Sequence, residues 1–346
     1  MAKMRLSNLN WLGGILSVAL LSWAANVVNG QSLRLPTSNH AIYEAGGEER
    51  FFVGTVGKTW VSGTFGCVRS NGRQLHEGID IRCMDRDRRG EPMDPVLAAA
   101  GGEVAYINLR QGLSNYGRYL VLRHRIDGLE VYSLYAHLKE FRPGLAVGQR
   151  VQAGETVATM GRTANTHQGI ARDRAHLHFE LNLFVNDRFA SWFKGANPGQ
   201  RNDHGAWNGQ NLTGLDPRLV LLAEKEQGGE FNLLQFARKQ TELCRVFVRS
   251  TQFPWLRRYP ALIRRNPTVE KEGVAGYEVA LNYSGLPYEL IPRASSEIHS
   301  GGSKYQLLSV NAAEVAKNPA RHLVTRQGNH WILTTHGRNL LDLLTY

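Results

Sequence analysis

Between Gly63 and about Asn186 the chain is cut into short apolar stretches separated by glycine and asparagine. Pro95–Ala100 runs into Gly101-Gly102, Glu103–Ile107 follows, and Arg118–His124 and Leu129–Tyr135 alternate apolar with polar positions. Val147–Glu155 adds two further turns of the same kind. Alternation broken by turn residues every 8 to 12 positions or so predicts an antiparallel β-sandwich or barrel-like sheet, and no long helix fits there. Ahead of it, residues 31–62 are expected to add one or two short strands. Behind it, the Asn-, Gly- and aromatic-rich stretch 186–211 reads as a long loop. Asp216-Pro217 then predicts a helix reaching Glu226, with aspartate capping and proline in first position, and Gly228-Gly229 ends it.

We place a domain boundary there, giving a mainly β unit over 31–228 and a small α+β unit of unassigned role over 229–346. For the latter the pattern predicts an amphipathic helix from Phe231 to about Val248. Strand-like pieces follow at 277–283, 288–292 and 331–335. A helix at Ala312–Lys317 is capped by Asn311 and stopped by Asn318-Pro319.

The first thirty residues belong to neither unit. Lys3 and Arg5 precede an apolar run from Trp11 to Ala25, with small residues after it. That is the pattern of a cleaved secretory signal, and the run is shorter than the roughly 20 residues a membrane span needs. The chain is therefore expected to be exported to the periplasm or cell envelope, touching membrane only through a transient signal. Its net charge of +11 becomes +9 once Lys3 and Arg5 leave with the leader. An exported chain of that charge is attracted to polyanions. Three cysteines, Cys67, Cys83 and Cys244, exclude a disulfide scaffold but allow one bridge, for instance between Cys67 and Cys83. No C-x-x-C occurs, which argues against a structural cysteine-zinc site.

The chemistry concentrates in four positions: His76 and Asp80 in His-Glu-Gly-Ile-Asp, and His176 and His178 in Ala-His-Leu-His-Phe-Glu, with Tyr135-Ala136-His137 between them. Imidazole nitrogens and a carboxylate form the donor set of a catalytic zinc, which keeps one position open. In a strand, His176 and His178 share one face while Leu177, Phe179 and Leu181 take the other. An isolated His-x-His is commonly a surface or strand-capping feature. The ordinary reading is kept for His40, His124, His167, His204, His299, His322, His330 and His336, with His204 able to line a cleft.

Over roughly Gly63 to Leu183 the chain resembles the lysostaphin/LytM family of zinc peptidoglycan endopeptidases. The matching segments are Phe65–Arg69, His76–Ile81, Asn115-Tyr116-Gly117, Tyr135–Leu138, Val147–Val151, Gly161-Arg162-Thr163 and His176–Glu180. The resemblance implies that His76, Asp80 and His178 hold Zn2+ and that His137 and His176 are catalytic, flanking the reactive water. It further implies a LytM-type catalytic fold and peptidoglycan peptides as substrate. One departure stands out. The stretch Thr163–Ala175 before the His-x-His is longer than usual and carries His167, Arg172, Asp173 and Arg174, which bears on substrate specificity.

Six arginines and no acid lie between Arg245 and Arg265, among Phe247, Phe253, Trp255 and Tyr259. Such a stretch suits single-stranded nucleic acid in principle. For an exported chain, anionic cell-wall polymer is the expected partner and nucleic acid is not. A solvated face whose arginine stems cover a core is the competing reading. Two functional classes remain: a zinc metalloendopeptidase, and a catalytically silent LytM-like domain that binds wall or activates another hydrolase. A zinc peptidase acting on proteins outside the wall is a third.

Overall fold

The computed structural model describes residues 33–69, 74–166, 168–298, 302–317 and 322–346. The leader-like segment and the Asn318-Pro319 stop lie outside these residues.

The central element is a seven-stranded antiparallel sheet. Strand His176–Phe184 pairs along one edge with Leu129–Ala136, followed by Tyr119–Ile126, Gly102–Asn108 and Arg150–Val151. Its other edge is shared: Ile79–Arg82 pairs with 176–179 and Leu212–Leu215 with 181–184. The sheet is open rather than a closed barrel. A three-stranded sheet of Pro95–Leu97, Thr156–Thr159 and Glu140–Phe141 packs on it. The strand-rich antiparallel architecture is the one the alternation predicts.

Period-two alternation explains the two faces. Leu120, Leu122, Tyr135, Leu177, Phe179, Leu181 and Leu183 are fully buried in one core that also contains Val96, Val157 and Met160. The opposite face carries Tyr119, Val121, Tyr132, Leu134, Ala136, Phe184 and Leu212 in a second, smaller cluster. One polar link crosses the main core. The hydroxyl of Tyr135 accepts from the backbone N–H of Ala99 at 2.8 Å and from Ser133 Oγ at 2.9 Å. Among the described residues all three cysteines are free thiols; Cys83 is buried and donates to Asp94 Oδ2 at 3.0 Å.

Several local expectations differ from what forms. Residues 33–63 make short helical turns (Ala41–Tyr43, Glu48–Phe51, Trp60–Gly63) and pair with the sheet only through a bridge between Phe52 and Ile81, supplemented by hydrogen bonds such as Leu97 N–H to Pro36 O at 2.8 Å and Val53 N–H to Asp80 O at 2.9 Å among the described residues. The 186–211 stretch contains the helix Phe189–Ala196, which buries Phe189 and Phe193 one turn apart. The predicted helix from Phe231 to Val248 breaks in two. Leu233–Arg238 is helical, but Cys244–Val248 is a strand, paired with Gly276–Leu281 on one side and Tyr305–Val310 on the other. Cys-Arg-Val-Phe-Val carries two β-branched valines, and sheet pairing on both sides overrides the weak helical period. Adding Pro287–Arg293 completes a four-stranded sheet, order 287–293, 276–281, 244–248, 305–310, flanked by helices. The last of these, Thr335–Thr345, follows the hairpin of Val324–Gln327 and His330–Leu333.

The C-terminal residues are bonded to the end of the central strand. Tyr259 OH accepts from Phe184 N at 2.7 Å, Leu343 O accepts from Asn186 Nδ2 at 2.7 Å, and Ser284 Oγ donates to Gly214 O at 3.1 Å. Arg258 reaches Glu130 and Asp187, with its guanidinium over the Phe184 ring.

Removing the Tyr135 hydroxyl strands the buried Ala99 N–H. Tyr135→Phe is expected to lower unfolding free energy by about 1–3 kcal/mol in urea titration while leaving metal content unchanged.

Candidate metal centre

Strand pairing brings the distant motifs together. His178 lies directly opposite Asp80 on one side and Ala136 on the other. Side chains at directly opposed positions share a face. On that face His176, His178, Glu180 and Asn182 follow one another at every second position, all buried. His76 comes from the turn before Ile79–Arg82, beside the short hairpin of Val68-Arg69 and Gln74-Leu75. The turn can sit so close because position 78 is glycine. A Cβ there would meet Phe179 O at 2.4 Å and Glu180 Cγ at 2.8 Å.

Three donor atoms converge. His76 Nε2 and His178 Nδ1 are 3.1 Å apart, and each is 3.1 Å from Asp80 Oδ1. The three residues form a His/Asp group able to hold a metal ion, and all are buried. Ligands at roughly 2.0–2.1 Å around a tetrahedral zinc stand about 3.3–3.4 Å apart, so this triangle is close to the required size.

The remaining atom of each donor is fixed from outside. His76 Nδ1 donates to Thr64 O at 2.8 Å, and His178 Nε2 donates to Glu180 Oε1 at 2.7 Å. Asp80 Oδ2 accepts from Arg69 Nη2 at 2.6 Å. The inward atoms are therefore lone-pair bearers, and a positive charge must sit among them. Without a metal a proton serves. Burial works against a charged His178 ring, yet hydrogen bonds to Asp80 and Glu180 raise it to about 9. Burial also opposes ionisation of Asp80, but the surrounding histidines pull its carboxyl well below the usual range. The chemistry of this donor set fits a divalent cation such as zinc.

His137 and His176 lie beside the triad. Their ring centroids are 4.9 Å apart, His137 is 5.9 Å from His178, and His176 Nε2 is 3.5 Å from Asp80 Oδ1. Each donates through Nδ1 to a backbone carbonyl, His137 to Thr163 O at 2.9 Å and His176 to Arg174 O at 2.7 Å. Burial, joined by neighbouring histidines, holds His137 well below the ordinary imidazole range; burial also lowers His176. Both rings are thus neutral, with Nε2 free to accept a proton. His137 has φ of 63°, a left-handed conformation uncommon outside glycine. Its backbone N–H, held by Tyr116 O at 2.9 Å, and its Nδ1 bond together fix that conformation.

Residues 74–189 match peptidase family M23. This stretch is an M23 peptidase domain. Three solved structures similar to the chain are a candidate glycyl-glycine endopeptidase lytM from Ruminococcus gnavus, the lysostaphin catalytic domain from Staphylococcus simulans and a zinc-containing peptidase from Vibrio cholerae. The first is 22% identical, covering 42% of this chain and 45% of that one, with a TM-score of 0.28. The second is 21% identical, covering 38% and 74%, with a TM-score of 0.25. The third is 19% identical, covering 44% and 37%, with a TM-score of 0.28. The chain thus spans less than half the length of the first and third. No curated protein matches the chain.

Two residues at the site, Glu180 within the M23 match and Arg69 just ahead of it, have roles that no motif indicates. Glu180 accepts from His178, from Tyr116 OH at 2.7 Å and from Asn182 Nδ2 at 2.7 Å. Arg69 spans Asp80 and Ser62 O. Glu180 was detectable, since it continues the His176/His178 period by one step; Arg69 carries no such signal. Other histidines take ordinary places. His124 is a core residue bonded to Gly101 O and Ser133 Oγ, its ring lowered by burial to about 4. His204 packs on Tyr119 and Tyr106 along the same sheet face as the triad. His167 and His299 lie outside the described residues. In the basic stretch, Arg245, Arg258, Arg264 and Arg265 all pair with carboxylates.

Replacing Glu180 by Gln weakens the acceptor that orients His178. Metal affinity in competitive chelator titration should fall about 10- to 100-fold, with the circular dichroism spectrum unchanged.

Proposed function

We propose that this chain is an exported zinc metalloendopeptidase that hydrolyses peptide bonds in the stem-peptide cross-links of peptidoglycan. The observation that carries the reading is the convergence of His76 Nε2, Asp80 Oδ1 and His178 Nδ1 within 3.1 Å of one another, beside two neutral histidines. The M23 match over 74–189 and the peptidoglycan-directed activity implied by the LytM resemblance support the substrate class. The leader pattern in the first thirty residues supports export, and the net charge of +9 left after its removal (11 − 2) favours attraction to anionic wall polymers.

His76, Asp80 and His178 would hold the zinc, which supplies Lewis acidity to polarise a peptide carbonyl and to acidify a water. The chain's own histidines then handle protons. With Nδ1–H tied to Thr163 O or Arg174 O, the Nε2 of His137 or His176 accepts the proton of the attacking water. The water oxygen bonds to the carbonyl carbon. The protonated ring returns its proton to the amide nitrogen as the C–N bond breaks, leaving a carboxylic acid and an amine. The second imidazole, its ring centroid 4.9 Å from the first, is placed to orient the attacking water by accepting a hydrogen bond at its Nε2.

A silent domain of the same family would lack one or more of these groups. All five are in place, which favours the enzyme over a wall-binding or activating role.

His178→Ala should abolish zinc retention measured by elemental analysis, and with it turnover. His137→Ala should keep near-stoichiometric zinc and lose at least about 100-fold in kcat on purified peptidoglycan, read by mass analysis of released fragments. Full zinc occupancy in His178→Ala would remove the ligand assignment.

A further inference from the structure

On the side of His137, a cavity of about 350 Å³ opens between Arg118, Lys139, Gly161, Thr163, Arg162 and Glu91. It shares a wall with the metal centre. The carbonyl of Thr163 holds His137 Nδ1, and its hydroxyl accepts from Arg118 N at 3.0 Å and donates to Leu138 O at 3.0 Å. Lys139 follows His137 by two residues. Whatever occupies this cavity therefore lies next to a proposed catalytic imidazole.

The charge of the cavity is unbalanced. Arg162 is engaged by both oxygens of Glu91, at 2.8 and 3.0 Å, and Arg172 binds the same carboxylate at 2.7 Å. Glu91 is thereby held at about 2 and stays ionised, and it satisfies those two arginines alone. Arg118 is anchored by backbone carbonyls, Nε on Leu109 O at 3.2 Å and Nη1 on Lys139 O at 2.7 Å. The Lys139 ammonium donates to the thioether of Met93 at 3.6 Å, a weak acceptor, and Asp87 lies close enough to feel its charge without forming an ion pair. Both cations are half-buried, and neither forms an ion pair with a carboxylate among the described residues. The other acids nearby are at the rim. Asp87 accepts from the backbone of Arg89 and Glu91, and Glu140 is exposed.

Two partly desolvated cations, one fixed in direction by its backbone anchors, form a receptor for an anion. We propose that this cavity binds a carboxylate of the peptide substrate, making Arg118 and Lys139 specificity-determining residues. The proposal rests on the peptidase reading. A peptide lying extended along the cleft advances ~3.3 Å per residue, so the recognised carboxylate belongs to a residue near the scissile bond. An acidic peptide is therefore favoured over its amidated counterpart.

The test uses the full zinc-loaded chain and two peptides of one sequence, with the acidic group free or amidated. Wild type should show a KM about ten-fold lower for the free carboxylate, with similar kcat. Lys139→Gln should erase that preference while keeping zinc content and kcat on the amidated peptide, and Lys139→Arg should restore it. Equal KM values in wild type, or an unchanged preference in both Lys139→Gln and Arg118→Gln, overturn the proposal. So does competition by inorganic phosphate without carboxylate preference, which marks an anion site unrelated to substrate. Calorimetric binding of both peptides decides the point even if neither is cleaved. Charge-dependent binding without turnover would sink the peptidase reading and keep the subsite.

Discussion

Three electron-rich atoms packed about 3 Å apart in a protein interior repel one another unless a positive charge lies among them. Most of the surrounding structure exists to impose that crowding. The antiparallel register sets Asp80 opposite His178, the close approach at Gly78 delivers His76, and the fully buried Leu177, Phe179 and Leu181 anchor the strand from behind. A cation converts the repulsion into binding. The protein has invested its local order in a geometry that is unfavourable when empty of charge, which is what a preorganised site requires.

A second set of acceptors surrounds the first. Thr64 O, Glu180, Thr163 O and Arg174 O each take one imidazole N–H, so every histidine of the group has one nitrogen fixed as a donor and the other directed at the chemistry. Thr163 and Arg174 are nearly the two ends of the 163–175 stretch. That loop therefore orients both flanking histidines, while Arg162 and Arg172 tie its shoulders to Glu91. A loop of this length is compatible with a tightly held site because its ends, rather than its middle, carry the orienting carbonyls.

Much of this was readable from the residues. Strict alternation around His176 and His178 indicates the shared face, and the turn chemistry of His-Glu-Gly-Ile-Asp indicates the second donor-bearing segment. Glu180 was one step along the same period. Backbone carbonyls leave no mark in a side-chain pattern, so the roles of Thr64, Thr163 and Arg174 were not visible, nor was the reach of Arg69 to Asp80. The C-terminal part was read less well. Cys244–Val248 is apolar enough to continue a helix, and only the strands on either side, from 276–281 and 305–310, make it a strand. Phe189 and Phe193 in a glycine- and asparagine-rich stretch similarly look like loop until a core is present to receive them.

The bonds from Tyr259, Leu343 and Ser284 to the end of the central strand and to its neighbour bear on how the chain can be dissected. Cutting out 74–189 would bare the amide of Phe184 and the carboxamide of Asn186, and would strip Arg258 from Glu130. The family-matched segment is thus not a self-contained cassette in this protein. Its donor-bearing strand inherits part of its rigidity from sequence more than seventy positions downstream, so truncation or chimera boundaries drawn at the ends of that segment would disturb the very element on which the donors are mounted.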